Sequence, residues 1–142
     1  MSMTDSTGDF LTRIRNALQA SHETVAIPSS NLGVQIARIL KEQGYIEGYE
    51  KEPPPPPTGS RRRAQAGDRI RITLRYTEER RPVISGLRRV SRPGRRTYVD
   101  ARHIPKVQGG MGTTIISTSR GVMTGHDARR QGVGGEVVAE IW

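Results

Sequence analysis

The apolar positions of this chain change period along its length, and each change marks an element. Phe10, Leu11, Ile14 and Leu18 recur at steps of three and four, which predicts a helix over residues 5–20. Asp5 or Ser6 can cap it, with Asp9 three residues after Ser6, and its polar face carries Thr12, Arg13 and Asn16. "TVAIP" (24–28) reads as a short strand. Leu32, Ile36, Ile39 and Leu40 form a second helical stripe, capped by Ser29 or Ser30 and stopped at Gly44. "YIEGYE" (45–50) follows as a strand. The period then becomes two. In "DRIRITLRY" (68–76), Ile70, Ile72, Leu74 and Tyr76 point one way while Arg69, Arg71, Thr73 and Arg75 point the other. That predicts a half-buried strand with a basic outer face. "PVISGLRRV" predicts another strand after a charged turn.

The second half reads as almost all β. "RRTYV" (95–99), "TTIIST" (113–118) and "EVVAEIW" (136–142) are strand candidates, separated by the glycine corners "RPGR", "QGGMG" and "GVGG". One short helix interrupts them, with Thr124 as cap, Asp127 at the capping-box position and Gly132 as the stop. The expected fold is therefore α+β in two small lobes: a mixed N-terminal lobe over 1–78 and a mostly β lobe over 82–142. Between two strands of the first lobe lies "EPPPPPTGSRRRAQAG" (52–67), whose five consecutive prolines fit neither a helix nor a paired strand. It reads as an exposed hairpin insertion outside both cores, open either to a proline-motif partner or, through its arginine triplet, to phosphate.

Charge sets the class of partner. Lys plus Arg number 23 against 14 Asp plus Glu, a formal net charge of +9, which points to a polyanion. Of those cations 20 are arginine, a residue that grips phosphate bidentately; a GC-rich genome gives the same bias. Aromatics make up only 4%, so stacking on several exposed rings is not expected to be the main binding mode. No apolar run approaches the ~18 residues of a membrane span. The opening "MSMTDSTGDF" is not patterned as a signal peptide, and there is no cysteine, so no thiolate metal site or thiol chemistry is expected and the cytoplasm is the natural compartment.

The one stretch that invites an enzymatic reading is "ISTSRG", where Ser117, Thr118 and Ser119 stand in a row before Arg120. A nucleophile elbow needs glycine two before the serine, and Ser117 occupies that place for Ser119. "HETVA" lacks the second histidine of a zinc helix, and no phosphate loop is present. The chain is thus not expected to be an enzyme, nor to take a cofactor, metal or small-molecule substrate. Two readings of the triplet remain open. Short hydroxyls on a firm strand end can meet the 2′-hydroxyls and base edges of the RNA minor groove, or they can simply cap a turn.

The stretch is not isolated. "STSRGVMT" runs into "DARRQGVGGEVVAEIW", preceded by "RRVSRPGRRTYV" and "IPKVQGGMGTTI", with "MTDSTGDFLTRIRNA" and "IPSSN…IARILKEQGYI" at the start. Together these blocks resemble the protein-eight family of the bacterial small ribosomal subunit over nearly the whole chain except roughly 51–67. The resemblance implies a structural protein that binds the central domain of 16S rRNA early and helps assemble the small-subunit platform. Neighbouring small-subunit proteins are implied as partners, and in some members the operon messenger RNA as well. It implies that Ser117, Thr118, Ser119 and Arg120 contact RNA, with Tyr98, Gly135 and Glu136 near the same surface and Arg92 and Gly94 at a neighbouring turn. Tyr98 can stack on a base or ribose, or pack within its strand; Glu136 can accept from a base amino group, or hold the hydroxyl loop. Arg13, Asn16 and Ser29 are the N-terminal candidates. A free regulator binding RNA or DNA is the alternative function.

Overall fold

A computed structural model describes residues 5–54 and 67–142. Most of the proline- and arginine-rich insertion therefore lies outside the described residues. The first helix, α1 (Ser6–Gln19), buries Phe10, Leu11, Ile14, Ala17 and Leu18 along one stripe. Its cap is Asp5, whose carboxylate accepts from the Gly8 N–H at 3.1 Å, so Ser6 lies inside the helix rather than at its cap. Strand β1 (Thr24–Pro28) and helix α2 (Asn31–Glu42) follow, with Ser30 as the cap through its hydroxyl to the Gly33 N–H. Leu32 is only partly buried; the α2 core face consists of Gly33, Ile36, Ala37, Ile39 and Leu40. Strands β2 (Ile46–Glu52) and β3 (Arg69–Leu74) complete an antiparallel sheet in the order β1-β3-β2.

In β3 the alternation is realised, with Ile70, Ile72 and Leu74 buried. The outer face is not simply basic. The register sets Arg71 opposite Glu50 and Arg69 opposite Glu52, and residues directly opposite share a face. Arg69 pairs with Glu52 at 3.0 Å, Arg71 with Glu50 and Glu52, and Arg75 approaches Glu47 at 3.8 Å. Each exposed pair adds little to stability, but together they cancel the positive field that the isolated strand suggests.

The C-terminal sheet runs β4-β8-β6-β7, with β5 paired to β8 beside β4. Its strands are β4 (Leu87–Arg89), β5 (Tyr98–Val99), β6 (Thr113–Thr118), β7 (Gly121–Thr124) and β8 (Gly135–Ile141). Strands expected over "PVISGLRRV" and "RRTYV" shorten to three and two residues. In the first, the chain before Leu87 folds back so that the Ser85 and Gly86 N–H groups bond the Trp142 carbonyl. In the second, the turn at Pro93–Gly94 holds Arg92 and Arg95 to each other. Strand β7 carries no alternation of its own and is defined by its pairing with β6. Helix α3 (Gly125–Gln131) is capped by Thr124, while Asp127 pairs with Arg130 instead of completing a capping box.

One apolar cluster joins both halves. It contains the α1 and α2 stripes, Ile27, Ile46, Ile70, Ile72 and Leu74, and also Ile84, Leu87, Ile115, Val138, Ala139 and Ile141. A smaller cluster of Ile104, Ile116, Ala128 and Val137 lies under α3. Polar bonds cross the same boundary. Arg15 Nη2 donates to the Leu87 carbonyl at 2.6 Å, Arg38 Nη2 to the Val122 carbonyl at 2.9 Å, and the Tyr45 hydroxyl meets Thr113 Oγ1 at 3.2 Å. Asp5 joins them, capping α1 through one oxygen and pairing with Arg89 through the other. Phe10→Ala should therefore cost about 3–5 kcal/mol and shift the urea midpoints of helical circular dichroism and of Trp142 fluorescence together. Separated midpoints would show that the halves unfold independently.

Candidate nucleic-acid interface

Strand register assembles the sequence candidates. Ser117 lies opposite Glu136, and Glu136 lies opposite Tyr98, so these three side chains form one row across β6, β8 and β5. The next row is Thr118, Gly135 and Val99. Such close strand approach leaves no room at the glycines. A Cβ on Gly135 would collide with the Ser117 carbonyl, and one on Gly134 with the Val99 carbonyl and, at 2.6 Å, with Asp100 Cα.

The hydroxyl triplet divides by role. Thr118 closes the β6–β7 hairpin: its hydroxyl donates to the Gly121 carbonyl at 2.8 Å and accepts from the Arg120 N–H at 3.0 Å. The turn-capping reading thus holds for Thr118. Ser119 and Arg120 form the exposed hairpin corner, and Ser117 is partly exposed on the strand. Among the described residues the Ser117 and Ser119 hydroxyls have no hydrogen-bond partner. Tyr98 is 70% exposed, so its ring is not packed within the sheet, and a large aromatic face stands in solvent at the edge strand.

Glu136 is held by Arg96 at 3.2 Å and makes no bond to the hydroxyl loop among the described residues. Arg96 was not singled out in the sequence, nor was Arg89, yet both shape this edge. Five arginines fall within residues 88–96, and that density was the available signal. Burial, followed by the neighbouring charges of Arg92 and Arg96, lowers the pKa of Arg89. Arg88 is engaged by Glu140 and Arg89 by Asp5. Arg92 and Arg95 are exposed on either side of the Pro93–Gly94 turn and have no acidic partner among the described residues. Past Tyr98, Asp100 accepts from the backbone of Arg102 and His103 and from His103 Nδ1 at 2.6 Å; the last contact is the main reason its carboxyl is held below the usual range.

The N-terminal candidates do not join this row by register. Arg13 is exposed on α1 and paired with Asp9 at 2.9 Å, and Asn16 is exposed on the same helix. Ser29 sits between β1 and α2, its N–H bonded to the Asp68 carbonyl at the root of the insertion.

Among the described residues no group of three or more His, Cys, Asp or Glu side chains is placed to hold a metal ion, and no helix is long and apolar enough to cross a membrane. Fold and surface together define a small α+β protein with a cationic edge bearing an open aromatic ring and unpartnered hydroxyls, the outfit of a nucleic-acid-binding module. The family described as Ribosomal protein S8 matches residues 5–142, and the chain belongs to that family, whose members are structural RNA-binding proteins and not enzymes. It is similar to small ribosomal subunit protein uS8 of Acetivibrio thermocellus (51% identical) and of Roseiflexus castenholzii (49%), each comparison covering 100% of both chains. The uS8 protein of Corynebacterium efficiens is 47% identical over the same span.

Two glycine substitutions test the geometry of the row. Gly135→Ala should lower unfolding free energy by about 1–3 kcal/mol, as overpacking does. Gly94→Ala, at a corner with nothing near its added carbon, should change it by less than about 0.5 kcal/mol. Equal losses in urea titrations would contradict the assigned strand approach.

Proposed function

We propose that this protein is a non-catalytic constituent of the small ribosomal subunit, working in the cytoplasm as part of the ribosome. In this reading it binds the central domain of 16S rRNA directly and helps assemble the platform. The family match and relatives named small ribosomal subunit protein uS8 support the ribosomal part. The observation that carries the RNA-binding face is the row of Tyr98, Glu136 and Ser117 beside the open Ser119–Arg120 corner.

The chemistry assigns separate roles. Tyr98 offers its ring to a base or ribose. Ser117 and Ser119 each offer one donor and two acceptor positions to base edges and 2′-hydroxyls. Glu136, steadied by Arg96, accepts from a base amino group. Arg92, Arg95, Arg102 and Arg120 are exposed without an acidic partner among the described residues, and they supply phosphate contacts. Gly94 lets the Arg92 turn come close to the RNA backbone, and Gly135 holds the row in place. Thr118 acts through the hairpin it closes. Arg13, Asn16 and Ser29 form a second, N-terminal contact set. Neighbouring small-subunit proteins are partners in the assembled particle, and a similar fold of the protein's own operon messenger RNA would be a competing ligand for the same face.

The division of roles yields distinct expectations. Affinity for 16S rRNA should fall with salt at a log–log slope reflecting about three to six released counterions, and Arg120→Ala should reduce that count by about one. Ser119→Ala should weaken specific binding by about 1–3 kcal/mol with the slope unchanged. Thr118→Val should instead lower folding stability by about 1 kcal/mol, since it removes the bonds that close the hairpin. Filter binding and urea unfolding on the same samples separate these effects. Full affinity of Ser119→Ala would overturn the proposed readout.

A further inference from the structure

The strand that ends at the RNA-facing row begins at a loop of unusual build. In Val107–Gly112, three consecutive residues have positive φ: Gln108 at 50°, Gly109 at 66° and Gly110 at 97°. A non-glycine residue in that region is strained and needs the surrounding structure to hold it. Here the Val107 carbonyl accepts from both the Gly110 and the Gly112 N–H, at 2.9 and 3.0 Å, while the Val107 side chain is anchored in the interior. The result is a tightly specified loop whose tip, Met111, is 89% exposed. Beside it opens a pocket of about 320 Å³ lined by Tyr45, Lys106, Thr113, His126 and Arg129. The cations at this pocket are Lys106 and Arg129, the latter also donating to the Ile104 carbonyl at 3.3 Å; Asp127, also at the pocket, pairs with Arg130 at 3.0 Å, so the lining keeps a net positive charge beside Met111.

We infer that the Met111 loop and this cationic pocket dock an acidic protein segment that carries an apolar side chain. Methionine is flexible and polarisable and fills irregular apolar gaps. A strained loop that holds it in water is best accounted for by a partner that covers it. The charge around the pocket selects carboxylates on that partner. The RNA row lies at the far end of β6, about 17 Å away along the strand, so both ligands can bind at once. The inference rests on the ribosomal reading above, which supplies a particle crowded with protein neighbours.

The test uses the full chain, naked 16S rRNA, and small subunits reconstituted from rRNA and total small-subunit proteins. Because Met111 is exposed, Met111→Glu should fold normally and bind naked 16S rRNA like the wild type. In competition with the wild type for incorporation into subunits it should lose by about tenfold, and Met111→Leu should restore parity. A photoreactive methionine at position 111 should crosslink to an acidic protein segment. Equal incorporation of Met111→Glu would overturn the docking inference alone. So would an equal loss on naked rRNA, or crosslinking to RNA only, because the loop would then be an RNA contact. A wild type that binds no rRNA and enters no subunit would overturn the ribosomal reading and this inference together.

Discussion

The edge that we assign to RNA depends on a backbone approach that admits no side chains. Where the chain enters β8, at Gly134 and Gly135, it passes so close to β6 and β5 that a single added carbon would strike a neighbouring carbonyl. Because of that closeness, the residues just beyond the glycines fall into register, and Ser117, Glu136 and Tyr98 stand shoulder to shoulder. The hairpin corner at Ser119–Arg120 follows from the same strand, closed by Thr118. A rigid sheet end of this kind fixes donor and acceptor positions before RNA arrives, which lowers the ordering cost of recognition.

Charge is distributed in keeping with this geometry. Much of the arginine content is spent internally. The β2–β3 face is laced by Arg–Glu pairs, Arg15 and Arg38 bridge to carbonyls of the C-terminal half, and Arg89 ties that half to the cap of α1. Of the cations left open in the C-terminal half, Arg92, Arg95 and Arg120 stand at the Pro93–Gly94 turn and the hairpin corner, while Lys106 and Arg129 lie at the Met111 pocket beyond the other end of β6. A net charge of +9 therefore overstates the uniformity of the surface and understates its polarity.

Local periodicity made the main elements legible. The stripes of α1 and α2, the alternation of β3 and the run of β6 each carry their own signal, and the elements lie where the pattern puts them. What was hidden depends on partners distant in sequence. The identity of the α1 cap depends on Asp5 reaching both Gly8 and Arg89, and β7 exists only through its pairing with β6. The neutral outer face of β3 required knowing that Glu50 and Glu52 stand opposite Arg71 and Arg69. At the candidate site, the hydroxyl run pointed to Ser117, Thr118 and Ser119 alike, with RNA contact and turn capping both open, and the family resemblance pointed to Tyr98. That Thr118 is the one that closes the turn, and that Arg96 steadies Glu136, emerge only in three dimensions.

If one edge of the C-terminal sheet reads a folded element of rRNA, binding should shield that element and depend on the side chains of that edge. The most direct measurement is a hydroxyl-radical footprint of the full chain on naked 16S rRNA, with Tyr98→Ala beside the wild type. Protection should be confined to one irregular helix of the central domain, and part of it should be lost in Tyr98→Ala while the variant remains folded, since the ring stands 70% exposed. Protection scattered across the rRNA, or an identical footprint from Tyr98→Ala, would contradict rRNA recognition by this edge.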